Sequence, residues 1–228
     1  MCTIKSIYFT LILSIFMVQN AKTQDWANLK KYQNENAILK SLKPEPKRIV
    51  LMGDSITEFW STLNPDFFIG KPFVNRGISG QTSPQMLLRF RTDVIALKPN
   101  IVVILAGTND IAENTGPITV EMIAKTIFSM AELAKVNHIK VILCSVLPAF
   151  DFPWKKGLQP AEKIVTLNKM IEKYAHSNQI VYLDYYSVMV NEHKGLISRY
   201  SDDGVHPNKT GYEVMNPLLE KAILLTLK

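Results

Sequence analysis

Cysteine is nearly absent from this 228-residue chain, which contains only Cys2 and Cys144. Cys2 lies inside a predicted N-terminal export signal, so the mature chain would keep one cysteine and could form neither an intrachain disulfide nor a cysteine metal site. Cys144 lies in the apolar run KVILCSV, which favours a small buried side chain over a reactive thiol. These features exclude the disulfide-rich and cysteine–zinc classes of protein.

The chain also lacks any long run of basic residues, although its formal net charge is +6. Lysine and arginine are spread along the sequence in nothing longer than a pair, such as Lys30-Lys31 or Lys155-Lys156. A scattered basic surface is typical of solvated globular proteins, so we predict no nucleic-acid partner. The metalloprotease motif H-E-x-x-H and a glycine–lysine phosphate loop are also missing, and we predict neither a metal nor a cofactor.

The N-terminus carries one early positive charge, Lys5, followed by an apolar run at 7–18 and a polar exit. A membrane-spanning helix needs about 20 apolar residues, so the pattern indicates a signal peptide over residues 1–21, with cleavage near 21–23 and an uncleaved anchor as the alternative. We therefore expect a secreted or periplasmic protein with no stable membrane partner; its oligomeric state stays open. Residues 22–46 are expected to form an arm or linker, and residues 47–228 a single domain.

Strand-like and helix-like segments alternate along this domain. Short continuous apolar runs suit strands buried on both faces of a parallel sheet, and segments with helical apolar spacing separate them. The alternation predicts an α/β fold with helices on both faces of the sheet. A further helix is expected over 211–227, kinked or divided by Pro217. The predicted strands are 48–52, 72–75, 101–106, 140–145 and 180–183, and the other predicted helices are 82–97, 119–136 and 161–175.

Small polar residues follow three of the predicted strands. Gly53-Asp54-Ser55 comes after the first, the segment NRGISG at 75–80 after the second, and Gly107-Thr108-Asn109-Asp110 after the third. Since the carboxyl ends of parallel strands meet at one edge of the sheet, where ligands bind in such folds, we expect these segments to line one crevice. Asp54 and Asp110 are expected to order the loops by accepting hydrogen bonds from backbone N–H groups.

A carboxylate and a histidine stand three residues apart in the segment SDDGVHPN at 201–208. On a helical turn this spacing would place Asp203 and His206 on one face, where the carboxylate can hold the imidazole tautomer and leave the other ring nitrogen free. Asp184, at the end of the fifth predicted strand, is an alternative acid. A serine near the free nitrogen would complete a triad for acyl transfer.

Four short motifs occur in order along the chain: GDS with Ser55, NRGISG with Gly80, GTND with Asn109, and D-x-x-H with Asp203 and His206. Together they resemble the GDSL/SGNH family of serine esterases and lipases. The resemblance covers most of the chain and implies a three-layer α/β/α sandwich with a flavodoxin-like parallel sheet. It implies that Ser55 is the nucleophile, His206 the general base and then acid, and Asp203 the orienting carboxylate. It also implies an oxyanion hole formed by Ser55, Gly80 and Asn109.

Other interpretations of single residues are open at this stage. Ser55 alone could be a helix N-cap, and Ser79 is a rival nucleophile, although its surroundings differ from the G-x-S-x-G elbow. Trp60 and Trp154 are candidate substrate contacts, and ordinary packing is the alternative for both.

The resemblance implies a serine esterase that acts through an acyl-enzyme without a metal, and the N-terminal signal pattern predicts that it is secreted. The sequence contains no long apolar lid to shelter a fatty chain, so we predict a short acyl group, most simply acetyl, on a small-molecule or carbohydrate ester. Lysophospholipase or thioesterase activity, an acyltransferase, and a non-catalytic carbohydrate-binding domain on the same fold are the alternatives.

Overall fold

The computed structural model of the protein describes residues 25–43 and 45–228, and the predicted signal peptide at 1–21 with its cleavage region lies outside them. Five parallel strands form one sheet in the order β2-β1-β3-β4-β5, which is the flavodoxin-like order. The strands are β1 (Ile49–Gly53), β2 (Phe73–Gly77), β3 (Ile101–Leu105), β4 (Lys140–Cys144) and β5 (Val181–Leu183). The α-helices are α1 (Gln33–Ser41), α2 (Ser55–Leu63), α3 (Ser83–Asp93), α4 (Thr108–Ile111), α5 (Val120–Val136), α6 (Pro160–Ser177), α7 (Tyr186–Met189) and α8 (Lys209–Leu227).

Each central strand sends alternate side chains into two separate cores. In β3, Val102 and Ile104 belong to the core covered by α3, α5 and α6, whereas Ile101, Val103 and Leu105 belong to the core covered by α2 and α8. Because both faces of the sheet are covered, the strand is apolar at every position. The α/β fold with helices on both faces that the alternating pattern predicts, and the three-layer α/β/α sandwich that the resemblance implies, are confirmed.

Helix α2 lies directly on the ends of β1 and β2 because both strands end in glycine. A Cβ added at Gly77 would lie 2.7 Å from the Cα of Glu58 in α2, and one at Gly53 would lie 2.8 Å from the Cβ of Thr57 in the same helix. Both separations are shorter than van der Waals contact, so a larger residue at either position would push the chain apart. Gly53 pairs in register with Gly77 and with Leu105, so the loops after β1, β2 and β3 begin at one level of the sheet.

The predicted N-terminal arm contains helix α1 and packs beside the loop that follows β2. Tyr32 donates a hydrogen bond to the carbonyl oxygen of Gly77, and Gln81 Nε2 donates to that of Ala27 at 2.7 Å. Burial raises the pKa of Tyr32 to about 12, so its hydroxyl keeps the proton that it donates. These bonds tie both ends of the loop at 77–81, which contains Gly80, to the N-terminal arm.

Predicted element boundaries agree with the structure to within a few residues, with two differences. The helix predicted at 82–97 ends at Asp93, and a 3₁₀ turn, Ile95–Leu97, continues the chain. Of the two effects expected of Pro217, a kink or a division, the division is wrong, because α8 is continuous through it. Pro217 is exposed, and so is Glu213, whose carbonyl loses its intrahelical partner, so water can bond that group.

Across residues 25–43 and 45–228, no helix has both the length and the apolar character needed to cross a membrane. Over the same ranges, the His, Cys, Asp and Glu side chains form no group of three that could hold a metal ion.

A buried ion pair fixes the end of β1. Arg89 donates to Asp93 Oδ2 at 3.0 Å, and the two side chains are 0% and 2% exposed. The second terminal nitrogen of Arg89 donates to the carbonyl oxygen of Gly53, also at 3.0 Å. The guanidinium therefore connects α3 to the last residue of the strand that precedes Ser55.

We expect Asp93→Ala to lower the free energy of unfolding by about 3–5 kcal/mol, because it leaves the Arg89 charge buried without its partner. Urea denaturation followed by circular dichroism measures this loss. Glu220→Ala is the matched control, since it breaks the exposed pair with Lys71 and should cost no more than about 1 kcal/mol. Equal losses in the two variants would contradict a stabilising role for the buried pair.

Candidate active site

Ser55 is the first residue of α2 and follows the end of β1. The preceding Asp54 caps the helix, since its Oδ1 accepts from the backbone N–H of Ile56 at 2.9 Å. The N-cap position that sequence alone left open for Ser55 therefore belongs to Asp54. The hydroxyl of Ser55 instead lies 2.9 Å from Nε2 of His206, a residue 151 positions along the chain.

Asp203 and His206 meet through a folded loop rather than a helical turn, so the expected helical geometry is wrong although the pairing is observed. His206 Nδ1 lies 2.6 Å from Asp203 Oδ2. Asp203 Oδ1 accepts from the backbone N–H groups of Val205 and His206 at 2.9 and 2.8 Å, which folds the segment back on itself. Partial burial raises the pKa of Asp203, but hydrogen bonds from His206 and from the backbone outweigh it and hold that pKa below its ordinary value.

The two alternative residues have other partners. Asp184 accepts hydrogen bonds from the backbone and hydroxyl of Ser187, at the start of α7. Ser79 donates from both its backbone N–H and its hydroxyl to Glu58 Oε2, each at 2.6 Å. The structure therefore brings His206 together with Ser55 and Asp203, and leaves Ser79 and Asp184 bonded elsewhere.

Gly80 lies on the loop that follows β2, and Asn109 lies in α4, the short helix that follows β3. Gly80 has a φ of +76°, a conformation that favours glycine, and a Cβ there would meet no atom within 4 Å. The side chain of Asn109 is buried, and its Nδ2 donates to the carbonyl oxygen of Gln81 at 3.2 Å and to Asp54 Oδ2 at 3.3 Å. The first distance is at the long end of the usual N–H···O range and the second lies just beyond it, so neither bond holds the amide donor tightly.

Asp54 and Asp110 order the loops in the way that the sequence predicted. Both oxygens of Asp110 accept from the backbone N–H of Ser83, at 3.0 and 2.9 Å, and this joins the start of α3 to α4, which contains Asn109. Burial raises the pKa of Asp110. Burial also raises the pKa of Asp54 to about 7, against the opposing effects of the Ile56 N–H and of His206. A carboxyl group that titrates near neutral pH thus lies next to Ser55.

Two exposed aromatic side chains lie beside the imidazole of His206. The ring centroids of Phe59 and Trp154 are 5.7 and 5.8 Å from that of His206. Phe59 is 37% exposed and Trp154 is 45% exposed. Trp154 also stacks on Phe152, which is fully buried, at 5.2 Å between centroids. These rings form an open apolar wall next to the histidine.

Trp60 is not part of this wall, and its prediction as a substrate contact is wrong. It is 2% exposed, and its ring stacks on Tyr212 in the core between the sheet and α8. Its indole nitrogen donates to Asn216 Oδ1 at 2.9 Å. The side chain is therefore a packing residue with its one polar atom satisfied.

Sequence reasoning missed two polar residues that contact the site. Asn114 Nδ2 donates to Asn109 Oδ1 at 2.8 Å, and no motif marks this position. Glu58 accepts both hydrogen bonds of Ser79, next to Gly80. The spacing of Ser55 and Glu58 matches a capping box, so the available signal would have indicated the wrong partner for Glu58.

Comparison with known proteins gives consistent results. The GDSL-like lipase/acylhydrolase family profile matches residues 51–214. The crystal structure of a candidate acylhydrolase from Bacteroides fragilis is 51% identical, covers 90% of this chain and 100% of its own, and superposes with a TM-score of 0.87. A GDSL-like lipase from Bacteroides thetaiotaomicron is 52% identical, with coverage of 86% and 97% and a TM-score of 0.83.

An acetylxylan esterase from Xylanibacter ruminicola is 26% identical over 81% of this chain. The chain spans less than half the length of the curated relatives that it matches, at 45% of this esterase. The family profile, by contrast, covers most of the chain and extends from β1 into α8. The chain therefore belongs to the GDSL-like lipase/acylhydrolase family, a family of carboxylic ester hydrolases.

Proposed function

We propose that the protein is a serine esterase that removes short acyl groups, acetyl above all, from carbohydrate esters. The observation that carries this proposal is the unbroken hydrogen-bonded chain from Ser55 Oγ through the His206 ring to the Asp203 carboxylate. Acyl transfer by a serine needs a base within hydrogen-bond reach of the hydroxyl and a third group that orients the base. No cofactor enters the proposed mechanism.

In the first half-reaction, Ser55 Oγ attacks the ester carbonyl while His206 Nε2 takes the hydroxyl proton. The ionised Asp203 stabilises the resulting imidazolium through Nδ1. The negative charge on the former carbonyl oxygen is met by the backbone N–H groups of Ser55 and Gly80 and by the Asn109 amide. The Ser55 N–H is favourable here, because N–H groups in the first turn of a helix lack intrahelical partners.

The tetrahedral intermediate then collapses, and His206 gives its proton to the departing alcohol oxygen. In the second half-reaction, His206 takes a proton from a water molecule, which attacks the carbonyl of the acyl-Ser55 ester. Collapse of that intermediate releases the acid, and His206 returns the proton to Ser55. The cycle leaves every group in its starting protonation state.

The surroundings of His206 support a bulky alcohol and a short acyl group. The leaving alcohol must lie near Nε2 of His206, and the exposed rings of Phe59 and Trp154 lie beside the same imidazole. Exposed aromatic rings of this kind suit the flat face of a sugar. An apolar cavity of about 560 Å³, lined in part by Ile49 and Phe73, lies at the amino ends of the strands. A five-residue strand spans roughly 17 Å, so this cavity is separated from Ser55 by the length of β1 and does not adjoin the serine. The acetylxylan esterase relative is consistent with this substrate class.

We also propose that the protein is exported, as the pattern of Lys5 and the apolar run at 7–18 indicates. A secreted or periplasmic location would bring it into contact with carbohydrate esters outside the cytoplasm. N-terminal sequencing of the mature protein should find a start after residues 21–23. A mature protein that begins at Met1 would contradict cleavage and favour the anchor.

We expect Ser55→Ala to lower kcat by about 10⁴–10⁶-fold, because it removes the nucleophile. Acetate release from acetylated xylooligosaccharides measures this loss, and fatty-acid release from lysolipids, assayed in parallel, tests the alternative substrate class. Ser187→Ala is the matched control, since Ser187 bonds a carboxylate far along the chain from Ser55.

A fluorophosphonate probe should label wild-type protein and the control on Ser55 alone. No labelling and no ester turnover by wild type would contradict an esterase and favour a non-catalytic domain. Faster release of fatty acid than of acetate would contradict the proposed acyl group, and transfer to an added alcohol that outruns hydrolysis would indicate an acyltransferase.

The raised pKa of Asp54 should make the free energy of unfolding depend on pH. Its pKa is about 7 in the folded protein, whereas an aspartate in an unfolded chain has a pKa of about 3.9. Between about pH 4 and pH 7 the folded state therefore holds a proton that the unfolded chain has released, so this group makes stability fall as pH rises. Asp54→Asn removes that effect and keeps an oxygen that can cap Ile56.

The free energy of unfolding of Asp54→Asn, relative to wild type, should accordingly rise from pH 4 to pH 7. Urea denaturation of both proteins across this range gives the difference. A difference that stays constant with pH would show that Asp54 is ionised in the folded protein at low pH and contradict its raised pKa.

A further inference from the structure

Asn114 bonds to both sides of the candidate site. It lies in the loop between α4 and α5, and its Nδ2 donates to Asn109 Oδ1 at 2.8 Å and to the carbonyl oxygen of Gly80 at 3.3 Å. Its Oδ1 accepts from the indole nitrogen of Trp154 at 3.3 Å. A single carboxamide thus contacts two residues proposed to form the oxyanion hole, Gly80 and Asn109, and also the aromatic wall proposed to bind the alcohol.

The bond to Asn109 decides which end of the Asn109 amide faces which neighbour. An amide can be rotated by half a turn with little change in shape, but only its NH₂ end can donate to an oxyanion. Asn114 offers a donor on one side of Asn109, while Asp54 and the carbonyl of Gln81 offer acceptors on the other. The oxygen of Asn109 is therefore held toward Asn114, and the NH₂ end toward Asp54, which adjoins Ser55.

The backbone strengthens this connection. The N–H of Asn114 donates to the carbonyl oxygen of Asn109 at 3.0 Å, so the two residues share a main-chain bond and a side-chain bond. The ring of Trp154 stacks on the buried ring of Phe152, which restricts its position. Asn109 and Trp154 are thus each held by a further contact, and the Asn114 side chain bonds to both.

We propose that Asn114 is a positioning residue that orients the oxyanion-binding amide of Asn109 and couples it to the alcohol-binding wall at Trp154. The proposal rests on the proposed esterase function. It also makes Asn114 a contributor to substrate specificity. A sugar that stacks on Trp154 would act through Asn114 on the Asn109 amide, which is proposed to stabilise the transition state. A small activated ester makes no contact with Trp154, so its hydrolysis should depend only on the bond between Asn114 and Asn109.

The test uses Asn114→Asp, which is nearly isosteric, keeps an oxygen for the Trp154 indole and loses the NH₂ donor to Asn109. We expect kcat to fall by about 10–100-fold with both nitrophenyl acetate and acetylated xylooligosaccharide, because misplacement of a catalytic group by even a small distance is costly. Trp154→Phe keeps the aromatic ring and removes the indole donor. It should raise KM for the oligosaccharide more than KM for nitrophenyl acetate.

A double-mutant cycle separates positioning from a general structural role. If Asn114 acts through Asn109, then Asn114→Asp should change kcat by less than about twofold in an Asn109→Ala background. Glu113→Gln is the matched control. The Glu113–Lys155 pair, at 2.9 Å, joins the loop that contains Asn114 to the segment that contains Trp154 without contacting Asn109. This variant should keep wild-type kinetics, and thermal melting checks that all variants are folded.

An equal loss of kcat from Asn114→Asp in the wild-type and Asn109→Ala backgrounds would overturn the proposal, as would a loss matched by Glu113→Gln. Unchanged kinetics of Asn114→Asp beside an active, probe-labelled wild type would overturn the role of Asn114 and leave the esterase function intact. A wild type that neither hydrolyses esters nor reacts with the fluorophosphonate would overturn both.

Discussion

Gly53 pairs in register with Gly77 on one side and with Leu105 on the other, and the arrangement of the site depends on this pairing. It brings three strand ends to one level, so the segments that contain Ser55, Gly80 and Asn109 start side by side. The absence of a Cβ at both glycines lets α2 begin directly above the sheet. The buried Arg89 then holds the last carbonyl of β1, which keeps the strand end fixed where Ser55 follows.

Much of the fold could be predicted from sequence because its signals are local. A strand covered on both faces is a continuous apolar run, and a strand end at the crevice is a glycine followed by small polar residues, as at Gly53. Helical spacing could also have corrected the error at Trp60. Ile56 and Trp60 are four residues apart and both are buried, whereas Phe59 lies four residues from Ser55 and turns its ring toward His206.

The contacts that sequence reasoning missed join loops whose approach is set by the tertiary fold. Glu58 in α2 bonds Ser79 after β2, and Asn114 bonds both Asn109 and Trp154. The raised pKa of Asp54 could not be predicted from sequence for the same reason, since it results from burial that only the assembled fold provides. Even the pairing of Asp203 with His206 arises from backbone hydrogen bonds within a folded loop, although their spacing in the sequence had indicated a helix.

The central claim is that Ser55 carries the acyl group during turnover. The most direct measurement is mass spectrometry of enzyme quenched in acid during hydrolysis of nitrophenyl acetate, an activated ester whose alcohol leaves quickly and lets the acyl-enzyme accumulate. We predict one acetyl group per chain, located on the peptide that contains Ser55. An acetyl group on Ser79 or on any other residue, or continued turnover with no acetylated protein, would contradict the claim.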